Sequence, residues 1–260
     1  MKRSLLFLLA AFSTIMVNGQ NTVSERFAPP AGFERTPAEA GSFTNYLRSL
    51  PLKPAGSPVL LYNGQRKGHQ VHAAVVDLPI GKRNLHQCAD AVIRLRADYL
   101  YQQDRKDEIS FHLTNGFAVP YSRWMQGERV AVEGNKTWWV ARTSPADNAT
   151  SYFKYLEFIW SYAGTLSLSK ELKPIPLSDL DVGDVFIYGG SPGHAIIVID
   201  CAVNPRTGQK KFMLAQSYMP AQELHILLDN DYDGVWYDVP QGQYLNTPEW
   251  RFEINELKRF

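Results

Sequence analysis

The chain has 260 residues, and its 27 Lys and Arg residues nearly balance its 26 Asp and Glu residues, so the formal net charge is +1. Hydrophobic residues make up 45% and charged residues 20% of the sequence, which is ordinary globular composition and excludes a disordered or collagen-like chain. The charge balance gives no electrostatic footprint for nucleic acid, so we expect no nucleic-acid partner. Two cysteines are too few for a disulfide scaffold.

The first part of the chain, residues 1–19, has the features of a secretory signal peptide. Lys2 and Arg3 precede an apolar run over residues 5–11, and small residues surround a cleavage point before Gln20. The run is short for a membrane span. We therefore expect a mature protein that is exported to the periplasm or the extracellular space and does not span the membrane. The alternative is an uncleaved N-terminal anchor.

The mature chain is expected to consist of an arm and one domain. Residues 20–57 are rich in Pro, Gly and Ser and predict an N-terminal arm with one short helix near Ser42–Leu50, capped by Ser42. Residues 58–260 predict a single α+β domain that opens with a β-hairpin over 58–78. An insertion at about 104–180 forms a lid or substrate wall in this prediction. Three of its aromatic residues are expected to line a groove: Trp124, Trp138 and Trp139.

A long helix is predicted over Leu85–Gln103. Apolar residues recur there at helical spacing, and Asn84 and Gln87 have the spacing of a capping box. Cys88 therefore lies in the first helical turn, where the partial positive charge of the helix N-terminus stabilises a thiolate. The alternative is a small cysteine buried in the core.

Three segments with short connections predict an antiparallel meander of strands. The segments are Val185–Tyr188, His194–Val203 and Lys210–Tyr218. His194 opens the second strand directly after a glycine-rich turn, and its near-neutral intrinsic pKa suits a general base. The alternative is a histidine satisfied within the core by Asp200 or Asp184.

Strand alternation indicates which side chains can meet. It places His194 and Asp200 on one face of the second strand and Cys201 on the other. If the predicted helix packs on the His194 face, Cys88 approaches His194 and Cys201 points away. The competing arrangement is a Cys88–Cys201 disulfide, which an oxidising compartment would permit.

Gln216 is the candidate residue for orienting the imidazole. It lies on a neighbouring strand, and its amide oxygen would accept the Nδ1–H of His194 and hold one tautomer. Three other residues are alternative candidates for this role: Ser217, Asp200 and His225. A polar strand end at a sheet edge is the alternative interpretation of Gln216.

Two groups at the helix N-terminus could stabilise an oxyanion. The backbone N–H of Cys88 has no partner within the helix, and the side chain of Gln87 is a weaker candidate. Closing the capping box with Asn84 would be an equally good role for Gln87.

No cofactor and no metal site is expected. His69 and His72 are three residues apart in a predicted strand and would point to opposite faces. The sequence contains neither an H-E-x-x-H motif nor a paired CxxC, and it has no phosphate loop or dinucleotide fingerprint.

The order of these features resembles the papain-like superfamily in its bacterial cell-wall branch, the NlpC-type and amidase-type cysteine peptidases. The residues that carry the resemblance are Cys88, Gly183-Asp184-Val185, the strand from Gly193 to Val198, and Gln216. The resemblance implies a helix carrying a nucleophilic Cys88 that packs on an antiparallel sheet. The sequence departs from it where those enzymes usually have Asp-Cys-Ser and this chain has Gln87-Cys88-Ala89-Asp90.

A closer resemblance is to a family of secreted proteins of the Bacteroidota that is described as a domain of unknown function. It spans most of the mature chain and implies no activity. The segments that carry it are Gln87–Asp90, Thr114–Phe117, Gly190–Ala195 and Ala215–Gln222.

Together these features predict an exported cysteine hydrolase that cleaves an amide bond in a peptide or cell-wall substrate, with peptidoglycan stem peptides first among them. Cys88, His194 and Gln216 are its predicted catalytic residues. Two alternatives stay open, a non-catalytic envelope binding or assembly module on the same scaffold and a thiol acyltransferase. A Cys88 sealed from solvent would favour the binding module, and an apolar channel beside it would favour the acyltransferase.

Overall fold

The computed structural model describes residues 22–231 and 233–260. The predicted signal peptide, residues 1–19, lies outside these ranges. The described helices are α1 (Val23–Arg26), α2 (Phe43–Arg48), α3 (Cys88–Gln102), α4 (Tyr121–Met125), α5 (Ala149–Tyr162) and α6 (Thr165–Glu171). The described strands are β1 (Glu34–Arg35), β2 (His72–Val75), β3 (Ser110–His112), β4 (Ala118–Pro120), β5 (Glu128–Glu133), β6 (Lys136–Ala141), β7 (Lys173–Pro174), β8 (Val185–Tyr188), β9 (His194–Val203), β10 (Lys210–Gln216), β11 (His225–Leu227), β12 (Tyr237–Asp238), β13 (Tyr244–Asn246), β14 (Arg251–Glu253) and β15 (Leu257–Arg259).

A large antiparallel sheet organises the chain, so the fold is mixed α+β. Its strand order is β2-β11-β10-β9-β8-β15-β7, and β1 and β12 add to β9 and β10 respectively. The predicted meander forms the centre of this sheet as β8, β9 and β10. Three two-stranded ribbons, β3-β4, β5-β6 and β13-β14, complete the described strands.

The two faces of the sheet bury separate hydrophobic clusters. On one face, α3 packs against Ala195, Ile197 and Ile199 of β9. On the opposite face, Ile196 and Val198 pack among side chains of β8, β10 and β14. The central strand is therefore apolar on both faces, as expected for a strand that is covered from both sides.

Helix α3 begins later than predicted, because the residues before it have other partners. The side chain of Asn84 accepts from the backbone N–H of Ala221 at 2.7 Å, and Gln87 becomes the N-cap. The side-chain carboxyl group of Asp90 closes the turn by accepting from the Gln87 backbone N–H at 3.0 Å. The predicted capping box between Asn84 and Gln87 is thus displaced by three residues, to Gln87 and Asp90.

The charged side of α3 is buried as well, because α5 covers it. Arg94 and Asp98 form a buried ion pair at 2.6 Å, and the Tyr152 hydroxyl of α5 donates to Asp98 at 2.7 Å. The guanidinium of Arg94 also lies 5.6 Å from the ring centre of Phe153. The helix is therefore held from two sides, which fixes the position of its N-terminus.

A bulge in β9 overturns part of the predicted strand alternation. The pairing with β10 skips one residue at Ile199, so Met213 faces Asp200 and Leu214 faces Val198. Cys201 consequently lies in the same cluster as Val198, and Asp200 lies on the side of α2. The predicted placement of Asp200 with His194, and of Cys201 opposite them, is wrong for this reason.

The N-terminal arm packs onto β9 through buried charge. Ser42 caps α2 as predicted, accepting from the Asn45 backbone N–H at 3.1 Å. Arg48 of α2 and Arg35 of β1 both bind the buried carboxylate of Asp200 at 2.6 Å.

The predicted hairpin over 58–78 is wrong, because its second strand has another partner. Strand β2 pairs with β11, whereas the turn after Leu60 is closed by a single bridge to Arg66. Across the described residues, no helix combines the length and the apolar composition that crossing a bilayer requires.

Candidate active site

Cys88 and His194 line one cavity of about 500 Å³. Cys88 is the first residue of α3 and is partly exposed. His194 is the first residue of β9, directly after the loop Gly190–Gly193 that also lines the cavity. The predicted insertion supplies another wall, through Trp160 and residues 163–166. The Cys88 thiol is therefore not sealed by the insertion.

The backbone brings the thiol beside the start of β9. Helix α3 packs on the Ala195 face of the strand, opposite to the predicted face, yet its first residue reaches the end of the strand. Burial raises the pKa of the Cys88 thiol to about 11, while the backbone N–H groups of Ala195, Ala89 and Cys88 itself lower it. The resting sulfur is thus a thiol at neutral pH.

His194 is enclosed by aromatic rings. Its ring centre lies 4.8 Å from that of Tyr218, 5.4 Å from that of Trp250 and 5.8 Å from that of Phe252. Burial lowers the pKa of His194 to about 4, although the hydrogen bond to Gln216 and the charge of Glu249 raise it. The imidazole is therefore neutral at pH 7 and able to accept a proton.

The tautomer of His194 follows from the two side chains behind it. A carboxylate only accepts hydrogen bonds, so the Gln216 amide nitrogen must be the atom that donates to Glu249 Oε2, at 2.5 Å. The amide oxygen then faces His194 and accepts from Nε2 at 2.8 Å. Nε2 consequently carries the proton and Nδ1 carries the lone pair. We predicted the bond to Gln216 through Nδ1, and the structure makes it through Nε2.

Glu249 is held in place by the ammonium group of Lys67 on its other oxygen. Oε1 accepts from Lys67 Nζ at 2.6 Å and contacts His69 Nε2 at 3.0 Å. Both Lys67 and Glu249 have side chains that are only 6% exposed, so this pair lies in a region of low dielectric. The carboxylate is thereby fixed as the acceptor that sets the orientation of the Gln216 amide.

The other candidates for the orienting role lie elsewhere or bind other groups. The Ser217 hydroxyl donates to the carbonyl of Gln222 at 2.7 Å, and Asp200 binds the two arginines of the arm. His225 is fully buried and sits behind Gln216, with its Nε2 3.4 Å from the amide nitrogen. Asp184, an alternative partner for His194, binds Arg259 instead.

The oxyanion candidates remain at the N-terminus of α3. Gln87 lines the cavity, and its side-chain nitrogen makes only a long contact of 3.5 Å with Asn84. Asp90 also lines the cavity and is 5% exposed, and burial raises its pKa to about 8. The sequence analysis gives Asp90 no role in the site.

Sequence reasoning also missed Glu249 and Trp250. Both lie in the loop-rich C-terminal part, where no periodic pattern indicates which side chains turn inward. Of the insertion aromatics, Trp138 is 43% exposed and Trp139 packs on Phe117 and Arg123. Neither of these two residues lines the Cys88 cavity, and Trp124 does not line it either, so the predicted aromatic groove is wrong for that site.

Both cysteines are free, and they belong to opposite faces of the sheet. Cys201 is buried in the cluster of Val198 and Phe212, whereas α3 packs on the other face. Strand alternation predicts that Cys88 and Cys201 are separated, and they are, but for a different reason. The bulge in β9 moves Cys201 to the face of His194, and α3, which carries Cys88, packs on the other face. Among the described residues, no group of three or more His, Cys, Asp or Glu side chains could hold a metal ion.

Comparison with known proteins places the chain in a family without assigning it a reaction. No curated protein and no solved structure matches it. A family model described as a domain of unknown function, DUF4846, matches residues 23–259, which is most of the chain. The protein therefore belongs to the DUF4846 family.

Proposed function

We propose that the protein is a cysteine hydrolase that cleaves an amide bond, with a papain-like helix-and-sheet core. The observation that carries the proposal is the cavity shared by Cys88 and His194, in which Gln216 and Glu249 leave Nδ1 of His194 as the free base. A nucleophile at a helix N-terminus, a base, and a third group that orients the base are the parts that thiol catalysis requires.

The proposed reaction proceeds through a thioester. The Cys88 thiol passes its proton to Nδ1 of His194 as the sulfur attacks the substrate carbonyl carbon. A C–S bond forms, and the Cys88 backbone N–H donates to the oxyanion. The C–N bond then breaks, and the leaving amine takes the proton from His194. A water molecule deprotonated by His194 hydrolyses the thioester and restores the thiol.

The neutral resting forms of Cys88 and His194 set the pH range of the proposed reaction. Attack requires an unprotonated His194, whose pKa is lowered to about 4, and a thiol that it can deprotonate. Activity is therefore expected to persist to about pH 5 and to fall at lower pH, as His194 becomes protonated.

We also propose export to the periplasm or the extracellular space, and peptidoglycan stem peptides as the substrate class. The support for both is the basic and apolar N-terminal sequence together with the resemblance to cell-wall peptidases. The cavity is compatible with a peptide, since apolar walls such as Leu166 and Trp250 alternate with polar groups such as Gln87 and Thr165.

The test is product release from purified peptidoglycan and its stem peptides, followed by liquid chromatography and mass spectrometry. We expect new amine-bearing products with the wild-type protein and a loss of at least about a thousandfold with Cys88→Ala. Cys201→Ala is the matched control, because Cys201 lies on the other face of the sheet and its removal should leave product release intact. Equal release by Cys88→Ala would refute the proposal.

A non-catalytic binding module is the second candidate, because burial raises the pKa of Cys88 to about 11 and makes the thiol a weak resting nucleophile. On this alternative, the wild-type protein releases no product but still binds the stem peptides. Cys88→Ala would then bind them as tightly as the wild type does.

A further inference from the structure

A second cavity, of about 640 Å³, lies in the insertion and shares no lining residue with the Cys88 cavity. It lies between α5, the β5-β6 ribbon and the end of α4. Helix α5 separates the two cavities, since its Trp160 lines the first and its Phe158 lines the second. Residues two apart on a helix point in different directions, so the cavities open from different sides of α5.

The charge of this second cavity is strongly one-sided. Four cationic side chains line it, against the single acidic side chain of Glu157. The cations are Arg83, Arg129, Arg142 and Lys154. The whole chain is almost neutral, at a formal +1, so this cluster does not reflect a generally basic surface. Cations gathered in one concave site raise the local concentration of anions.

The cations are only partly neutralised by the protein. Arg83 is 3.9 Å from Glu157 with a side chain that is 61% exposed, which makes a weak pair. Within the described part of the chain, no ion pair or side-chain hydrogen bond occupies Arg142 or Lys154. Their donors are available to a ligand.

Arg129 and a row of stacked aromatic side chains, which forms the aromatic wall of the cavity, are held rigidly. Arg129 donates to the Trp124 carbonyl at 2.8 Å, and its guanidinium lies 4.1 Å from the Trp124 ring centre. The rings continue outwards from Trp124 to Phe158 at 5.6 Å and to Tyr162 at a further 5.0 Å. Tyr162 is 41% exposed, so the outer end of this wall is open to a ligand.

We propose that this cavity is a binding site for a small anionic ligand that carries a phosphate group next to a flat ring. Guanidinium groups bind such oxyanions in a bidentate manner, and the aromatic wall stacks against a ring. The site is independent of the proposed hydrolysis, because it uses no residue of the Cys88 cavity.

The test is isothermal titration calorimetry of the mature protein with three probes, namely adenosine diphosphate, adenosine and inorganic pyrophosphate. Adenosine diphosphate combines the anion and the ring, so it should bind more tightly than either part alone, and its binding should weaken as salt is added. Arg142→Gln combined with Lys154→Gln should weaken it by at least about tenfold, which is about 1.4 kcal/mol. Thermal unfolding checks that this double variant remains folded.

Arg66→Gln is the matched control, because Arg66 is exposed and lines neither cavity. It removes the same kind of charge and should leave the affinity unchanged. The proposal fails if no probe binds at millimolar concentration, if the double variant binds as the wild type does, or if Arg66→Gln weakens binding as much. The double variant should retain any hydrolysis that Cys88 performs, so failure here is distinguishable from failure of the proposed function.

Discussion

His194 can act as the proposed base only if Nδ1, the ring nitrogen that is not bonded to Gln216, is the one without a proton. Two side chains ensure this. Glu249 accepts from the amide nitrogen of Gln216, so the amide oxygen of Gln216 faces His194 and selects the tautomer with a proton on Nε2. Without Glu249, the amide could turn by half a rotation and favour the other tautomer. Glu249 is therefore a positioning residue that acts through Gln216.

Glu249→Gln is expected to reduce product release by at least about tenfold, because a neutral amide can donate to Gln216 as well as accept from it. Nitrogen NMR of labelled histidine should show a mixture of His194 tautomers in this variant and a single Nε2–H form in the wild type. His69→Gln is the control, since the 66% exposed His69 ring contacts only the other oxygen of Glu249. An unchanged tautomer in Glu249→Gln would contradict the assigned role.

At this scale the sequence indicated part of the site. Gln216 could be predicted from its strand parity relative to Phe212 and Leu214, and the structure places it against His194. The nitrogen of His194 that Gln216 contacts could not be predicted, because the orientation of the Gln216 amide depends on Glu249. That residue lies 33 positions further along the chain, in a segment without periodicity.

At the scale of elements, the arm and the central strand depend on one buried carboxylate. Asp200 is fully buried and joins Arg35 of β1 and Arg48 of α2 to the bulge in β9. Sequence alternation could not reveal this bulge, because β9 is apolar on both faces and a one-residue shift exchanges one apolar side chain for another.

Asp200→Asn should destabilise the protein by about 3 kcal/mol, because it leaves the buried guanidinium of Arg48 without a counter-charge. The free energy of unfolding in urea measures the loss. Asp238→Asn is the matched control, because the Asp238 side chain is 79% exposed in its pair with Lys211 and should contribute less than about 1 kcal/mol. Equal small losses in both variants would contradict the proposed anchoring of the arm.

At the scale of the whole molecule, four buried histidines link folding to pH. Burial lowers the pKa of His86 and of His225 to about 3, and that of His194 to about 4, from an ordinary value of 6.5, and it also lowers the pKa of His72. Below pH 6.5 the unfolded chain takes up protons at these positions, whereas the folded chain does not until its lowered pKa values are reached. Stability from these groups is therefore complete above pH 6.5 and decreases as the pH falls below it.

The midpoint of urea unfolding is expected to be lower at pH 5 than at pH 7. Several carboxyl groups oppose this trend, because burial raises the pKa of Asp90 to about 8 and also raises that of Glu171, Asp184 and Glu256, which favours the folded state at the lower pH. The histidines are expected to outweigh them, because four histidine pKa values are lowered and their ordinary value of 6.5 lies between the two pH values compared. His225→Gln removes one of the four histidines and should reduce the difference between the two midpoints. A midpoint that is equal or higher at pH 5 would contradict the account.

The overall architecture could be predicted only from its strongest patterns. The helix of Cys88 and the β8-β9-β10 meander were evident from periodicity and turns, and the α+β class follows from them. The outer strands β7, β12 and β15 have two or three residues each and pair with strands distant in sequence, so no local pattern marks them. The sequence could not indicate on which face of the sheet α3 packs, because both faces of β9 are apolar.

The central claim, that Cys88 is a nucleophile served by His194, is tested most directly by the rate of iodoacetamide modification in the folded protein. Peptide mass mapping distinguishes Cys88 from Cys201, so the second cysteine is an internal reference. We expect modification at Cys88 but not at the buried Cys201, with a rate that rises towards alkaline pH because the pKa of Cys88 is raised. At pH 7 the rate should fall by about tenfold in His194→Ala, which lacks the base. An unreactive Cys88, or the same rate without His194, would contradict the claim.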